Sequence, residues 1–188
     1  MQEGNKPEKK QRGFLASILS FVITILVIFG LAWCLRAFVV EPYSIPSGSM
    51  EQTIMTGDSV LGEKMTYRFR SPEVGDIVTF TDPELESRLL IKRVVATAGQ
   101  TVDLQDGKLV VDGVVQNADY TRNKRSDPLS NSIAISSYPY TVPEGCVFVM
   151  GDNRENSQDS RYFGAIKIST IQSKAIFVYW PLDHIHGL

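Results

Sequence analysis

Leu89-Leu90-Ile91-Lys92-Arg93-Val94-Val95 reads as a β-strand, and its first cation decides how the chain is understood. A short run of aliphatic and β-branched residues suits a strand better than a helix. Alternation places Leu90, Lys92 and Val94 on one face, with Ile91, Arg93 and Val95 on the other. Lys92 therefore projects among apolar neighbours, where burial disfavours the ammonium ion and lowers the amine's pKa. An ordinary lysine, with a pKa of ~10.4, is neutral only ~0.04% of the time at pH 7. Lowering that value by ~2 to 3 units costs ~3 to 4 kcal/mol, which a packed apolar site can impose. A lysine on an edge strand, with its stem snorkelling to water, fits the same letters. The strand alone leaves both readings open.

Comparable runs lie on either side: Ser59-Val60-Leu61, Asp76-Ile77-Val78-Thr79-Phe80, Cys146-Val147-Phe148-Val149-Met150 and Ala175-Ile176-Phe177-Val178-Tyr179-Trp180. Each is short and bounded by turn residues, so they are expected as strands. Asp106-Gly107 and Asp112-Gly113 flank Lys108-Leu109-Val110-Val111 as hairpin signals. The pattern predicts a mainly β domain, an antiparallel sheet or sandwich. The polar stretch from Gln116 to Tyr140, with Arg122, Lys124 and Arg125, reads as a solvated excursion inserted at about 113–142.

Upstream, Phe14 to Leu35 contains no charged residue. At ~1.5 Å per residue it spans ~33 Å, enough for a hydrocarbon core of ~30 Å. A cleavable signal peptide has a shorter apolar region followed by a small-residue cleavage site, whereas this one ends in Cys34-Leu35-Arg36. The expected organisation is a basic tail at 1–13, a retained anchor at 14–38 and a β-rich domain at 39–188. Lys6, Lys9, Lys10 and Arg12 precede the span, and after Arg36 no cation appears until Lys64. Positive residues stay inside, so the tail is expected in the cytoplasm and the β-domain outside it. A buried helix of a soluble protein is the competing reading of the same segment.

A net charge of −2 argues against nucleic acid as a partner. Two cysteines, one in the span and one in a strand, make an internal disulfide implausible. Two cysteines and two histidines without ligand spacing give no expectation of a metal or cofactor.

A serine hydroxyl needs a base before it attacks. His184 and His186 lie in a tail of the kind that commonly frays, a poor place for that base, so Lys92 is the candidate. Ser49, in Ile45-Pro46-Ser47-Gly48-Ser49-Met50, is the candidate nucleophile, although those letters also suit an ordinary turn. A third segment, Gly151-Asp152-Asn153-Arg154 through Ser157, Asp159, Ser160, Arg161 and Gly164, is densely polar directly after an apolar strand. It reads as support for a site, as an exposed turn, or as a calcium loop, though EF-hand spacing is missing.

In order and behind an anchor, these segments resemble the bacterial type I signal peptidases, or leader peptidases. Gly57-Asp58, Gly75-Asp76-Ile77-Val78 and Ile91-Lys92-Arg93-Val94 add to the likeness, which covers nearly the whole chain. The resemblance implies a catalytic domain of coiled antiparallel β-sheets and a cell-membrane location. It implies cleavage of signal-peptide-bearing precursors after Ala-x-Ala, near the secretion translocon and the lipid bilayer. By the same likeness Ser49 is the nucleophile and Lys92 the general base. The Ser49 N–H and the Ser47 hydroxyl would form the oxyanion hole. Ser157 would aim the amine, while Asp159 would pair with Arg161 and Arg93. Ile45, Met50, Ile54, Leu90 and Ile91 match positions lining small apolar pockets.

Three residues depart from the family pattern: Gln52 where proline is usual, Thr79 where an apolar residue is common, and Gln100 where an acid is common. The short segment between Arg93 and Gly151 matches the compact members of the family. Met65, Tyr67 and Phe69, interleaved with Arg68 and Arg70, suit either a membrane-interface contact or an ordinary hairpin tip. A non-enzymatic membrane protein whose outer β-domain binds a partner or wall component is the alternative function. A sortase-like cysteine enzyme is disfavoured because Cys146 reads as a buried strand residue.

Overall fold

The computed structural model describes residues 7–188, which fall into two compact units divided after Val39. The first unit is one helix, α1 (Pro7–Phe38). Its segment Ala16–Phe38 has a mean hydropathy of 2.7 and is long and apolar enough to cross a membrane. Lys6 of the expected basic tail lies outside the described residues, while Lys9, Lys10 and Arg12 fall on the first turns of α1.

The second unit is mainly β, in two antiparallel sheets. Its strands are β1 (Val40–Ser44), β2 (Ser59–Glu63), β3 (Ile77–Thr81), β4 (Leu89–Thr97), β5 (Thr101–Gln105), β6 (Lys108–Val111), β7 (Val114–Val115), β8 (Tyr140–Thr141), β9 (Cys146–Met150), β10 (Ile166–Lys167), β11 (Ile171–Trp180) and β12 (His186–Gly187). One sheet runs β1-β2-β11-β3-β4-β9-β10, with β12 paired to β11; the other runs β7-β6-β5-β8. All the expected strands form. The two hairpin signals hold β5, β6 and β7 together through turns with positive φ, 52° at both Asp106 and Asp112 and 78° at both following glycines. Two consecutive positive φ values give the turn whose twist matches the flanking strands.

β4 lies inside the larger sheet, paired with β3 on one side and β9 on the other. The edge-strand reading of Lys92 is thereby removed, since its side chain is 3% exposed. A register shift between Val94 and Ala96 breaks the alternation, so Val94, Val95 and Ala96 are all buried. One apolar cluster packs Ile45, Met50, Ile54, Val60 and Ile77 with Ala175 and Val178, behind the segment that carries Ser49.

The excursion between β7 and β8 is less solvated than its composition suggests. Thr121, Ser126 and Ile135 are buried, and Lys124 Nζ donates to Asn153 Oδ1 at 2.6 Å. The Tyr120 ring lies 4.2 Å beneath the Arg93 guanidinium carbon. The region from Met65 to Arg70 holds a short 3₁₀ turn, Thr66–Arg68, after which Phe69 stays exposed and Arg70 pairs with Asp76.

Candidate active site

Ser49 sits on a 3₁₀ turn, Gly48–Met50, within a loop whose ends are tied together. The Ile45 N–H donates to the Asp58 carbonyl at 2.9 Å, and the Gly57 N–H donates to the Ile45 carbonyl at 2.8 Å. Inside that loop Gln52 has a φ of 92°. Proline cannot reach that conformation, so the turn departs locally from the family pattern at this position.

Lys92 Nζ lies 2.7 Å from Ser49 Oγ and also donates to its neighbour's carbonyl, Ile91 O, at 2.9 Å. Both side chains are buried, Ser49 at 8% exposure. Burial pushes the amine down to about 8, with the nearby Arg88 charge acting the same way and the carboxylates of Asp159, Asp152 and Asp82 pulling it back. At that value roughly a tenth of the molecules carry a neutral amine at pH 7, a gain worth ~3 kcal/mol over an ordinary lysine.

The polar segment after β9 braces this pair. The Asn153 N–H donates to the Ser49 carbonyl at 3.1 Å, and Asn153 Nδ2 donates to the Gly48 carbonyl at 2.8 Å. Asp159 accepts from the Gly151 N–H at 3.0 Å and from Arg161 Nε at 2.9 Å. Burial pushes the Asp159 carboxyl up, but the Arg161 charge and these hydrogen bonds outweigh it and hold the group below its ordinary value.

Three expected roles are placed differently. Arg93 pairs with Asp152, not Asp159, through Nε at 2.9 Å and Nη2 at 2.7 Å. The cause is register: Arg93 lies opposite Met150, so its guanidinium reaches Asp152, two positions past the end of β9. Ser157 Oγ does not bond to Lys92. It is buried without a hydrogen-bond partner among the described residues, close enough to Asp159 to help hold that carboxylate charged. Met50 and Ile54 are fully buried in the cluster behind the loop and do not line the groove beside Ser49.

Two grooves meet at the serine. One, of about 330 Å³, has Ile45, Leu90 and Ile91 in its walls. The other, of about 200 Å³, is bordered by Asn156 and Gln158. Ser47, Ser49, Arg88, Leu90 and Lys92 line both. A polar cavity of about 390 Å³ among residues of β6 and the excursion includes neither Ser49 nor Lys92. A serine hydroxyl, a buried amine and a groove in contact define the chemistry available here.

Several supporting residues were not assigned a role from sequence. Asp152 and Asn153 stood within the quoted polar segment, but their partners follow from β9 ending beside the Ser49 loop. The histidines do not fray. His184 Nδ1 lies 2.7 Å from Asp58 Oδ1, and His186 Nε2 lies 2.9 Å from the Thr53 carbonyl. They strap the loop after the serine and make no bond to Ser49.

The family model for signal peptidase, peptidase S26, matches residues 18–180. The chain belongs to that family. It is 40% identical over 184 residues to the probable signal peptidase I-1 of Synechocystis, covering 94% of this chain and 88% of that protein. It is 39% identical over 169 residues to the chloroplastic thylakoidal processing peptidase 1 of Arabidopsis thaliana, covering 85% of this chain. The chain spans only 46% of the length of that plant relative. A crystal structure of a signal peptidase I from Enterococcus faecalis aligns with a TM-score of 0.46 and 33% identity, over 56% of this chain and 97% of that one.

Proposed function

We propose that this chain is a membrane-anchored serine endopeptidase that removes signal peptides from exported precursors. The observation that carries the reading is the 2.7 Å contact between Lys92 Nζ and Ser49 Oγ, buried where two grooves join. Family membership supports the substrate class.

In this reading the neutral Lys92 amine takes the Ser49 hydroxyl proton as Oγ attacks the scissile carbonyl carbon. The Ser49 N–H and the Ser47 hydroxyl receive the oxyanion, a role in which one lost donor typically costs ~3–4 kcal/mol. The ammonium then protonates the departing amine, leaving an acyl group on Oγ. Lys92, neutral again, takes a proton from water as its oxygen attacks the acyl carbon. It then passes that proton to Ser49 Oγ as the C–Oγ bond breaks and the acyl chain leaves as its carboxylic acid. Ile45, Leu90 and Ile91 give the groove an apolar wall that suits alanine side chains. Asp159 and Arg161 hold the Gly151 turn beneath the pair, while Arg93 and Asp152 hold Thr53.

Helix α1 serves as the anchor, with the basic tail in the cytoplasm and residues from Val40 onward outside. Ser49 lies nine positions beyond Val40, so cleavage occurs near the membrane surface, where translocated precursors are tethered by their own apolar segments. Confinement to one membrane raises the effective concentration of both partners.

The test is incubation of detergent-solubilised protein with a synthetic precursor carrying Ala-x-Ala, with the cut mapped by mass spectrometry. Wild type is expected to cut after the second alanine, and Ser49→Ala or Lys92→Ala to leave the precursor whole. Processing by either variant would refute the mechanism. Silence from folded wild type would favour a non-enzymatic partner-binding role.

A further inference from the structure

Among the apolar residues of the larger groove lies a chain of hydroxyls. Thr79 and Tyr43 both line the groove. Thr79 Oγ1 is 2.7 Å from Ser173 Oγ, Ser173 Oγ is 3.1 Å from Tyr43 Oη, and Tyr43 Oη is 3.3 Å from Glu41 Oε2. The strands explain the alignment. Thr79 faces Ser173 across the β3–β11 pairing, and Gly62 of β2 leaves the room between. A Cβ on Gly62 would stand 2.3 Å from Ser173 Oγ and 2.7 Å from the Tyr43 ring.

The direction of every proton in this chain is fixed from its outer end. The Glu41 carboxylate, which also pairs with Lys64 at 2.8 Å, can only accept. Tyr43 therefore donates to Glu41 and accepts from Ser173. Ser173, its one proton used, accepts from Thr79. Thr79 thus spends its own proton inward, and what Oγ1 retains is acceptor capacity. Thr79 is 2% exposed, so water has little access to that remaining acceptor capacity.

We propose that Thr79 is a specificity-determining residue, and that the groove selects precursors with a small hydroxyl-bearing side chain, serine above all, at the position that reaches it. This rests on the peptidase reading and narrows its substrate class. A serine side chain fills nearly the volume that an alanine-sized pocket offers and supplies the proton that Thr79 Oγ1 lacks. An aliphatic side chain of the same size supplies none.

The experiment compares peptides that carry serine or α-aminobutyrate, which has a methyl in place of the hydroxyl, at −1 or at −3 of an Ala-x-Ala parent. With wild type, serine is expected to exceed aminobutyrate in kcat/KM by roughly fivefold at one of the two positions, the yield of one modest hydrogen bond. Thr79→Val should erase or invert that ratio, read within the variant and so independent of any change in its overall rate. Tyr43→Phe, which frees the Ser173 proton to point back at Thr79, should also reduce it. A ratio near one in wild type, or one unchanged in Thr79→Val, overturns the inference alone. If the alanine parent itself is not cut by folded wild type, the peptidase reading falls and takes this one with it.

Discussion

Gly151 lies so close to Ser49 that a Cβ built on it would stand 2.4 Å from the Ser49 carbonyl oxygen. The same atom would stand 2.3 Å from Ser157 Oγ, so the intrusion meets backbone on one side and a buried side chain on the other. Gly151→Ala must displace the serine turn or the loop beneath it. Overpacking of this kind costs ~1–3 kcal/mol, and a misplacement near 1 Å costs about a hundredfold in rate. Urea unfolding and precursor cleavage check the two effects. Wild-type activity in this variant would show that the contact does not constrain the serine.

Activity should rise with pH as Lys92 loses its proton. The amine is lowered to about 8, and in the proposed mechanism the neutral form is the base. The expected profile of kcat/KM climbs with unit slope below about pH 8 and flattens above it. A profile already flat at pH 6 would mean that a different group takes the serine proton.

The same amine makes the fold less stable. Its folded value of about 8 lies below the ordinary 10.5, so between these values the unfolded chain binds more protons and stability increases with pH. Below pH 8 the full burial penalty is present. Lys92→Met should therefore abolish cleavage and raise unfolding stability by about 1–3 kcal/mol at pH 7, with the difference narrowing toward pH 10. Denaturant melts across that range measure it. A Lys92→Met protein less stable than wild type at pH 7 would show that the amine's two hydrogen bonds outweigh its desolvation.

Asp152 is fully buried and holds both Arg93 and the Thr53 hydroxyl. Asp152→Ala leaves a guanidinium at 12% side-chain exposure without its carboxylate, a loss expected to cost ~3–5 kcal/mol. The paired change Arg93→Met with Asp152→Leu should recover part of that loss. Thermal unfolding of the two variants beside wild type separates a damaged pair from a damaged loop.

His184 binds Asp58 from outside the serine loop, and this hydrogen bond raises the imidazole above its ordinary value. Its contribution is complete below the unfolded value of ~6.5 and is lost as pH rises through the folded one. His184→Ala should lower the melting temperature more at pH 6 than at pH 9. An equal loss at both would remove the charged pairing from the account.

Much of this was legible in the letters. Period-two runs give the strands, the Asp-Gly pairs give the hairpins, and an amine on the apolar face of Leu89–Val95 anticipates a buried base. The contact between Lys92 and Ser49 was not, because 43 positions separate them and their approach depends on β1, β2, β11, β3 and β4 lying in that order. The choice of Asp152 over Asp159 for Arg93 turned on the register of β4 against β9, which composition does not encode. The anchoring of the histidines was not legible for a similar reason. Nearness to the end of the sequence suggests fraying, yet β12 pairs with β11 and Leu188 packs on the core behind the serine.

That strand order has a consequence for the newly made chain. In the proposed reading the hydroxyl comes from the loop after β1 and the amine from β4, so neither is reactive before the sheet brings them together: the serine lacks its base, and the lysine, still hydrated, keeps its charge. On that reading, cleaving power arrives only with completed folding, and a copy still unfolded is harmless to the chains around it.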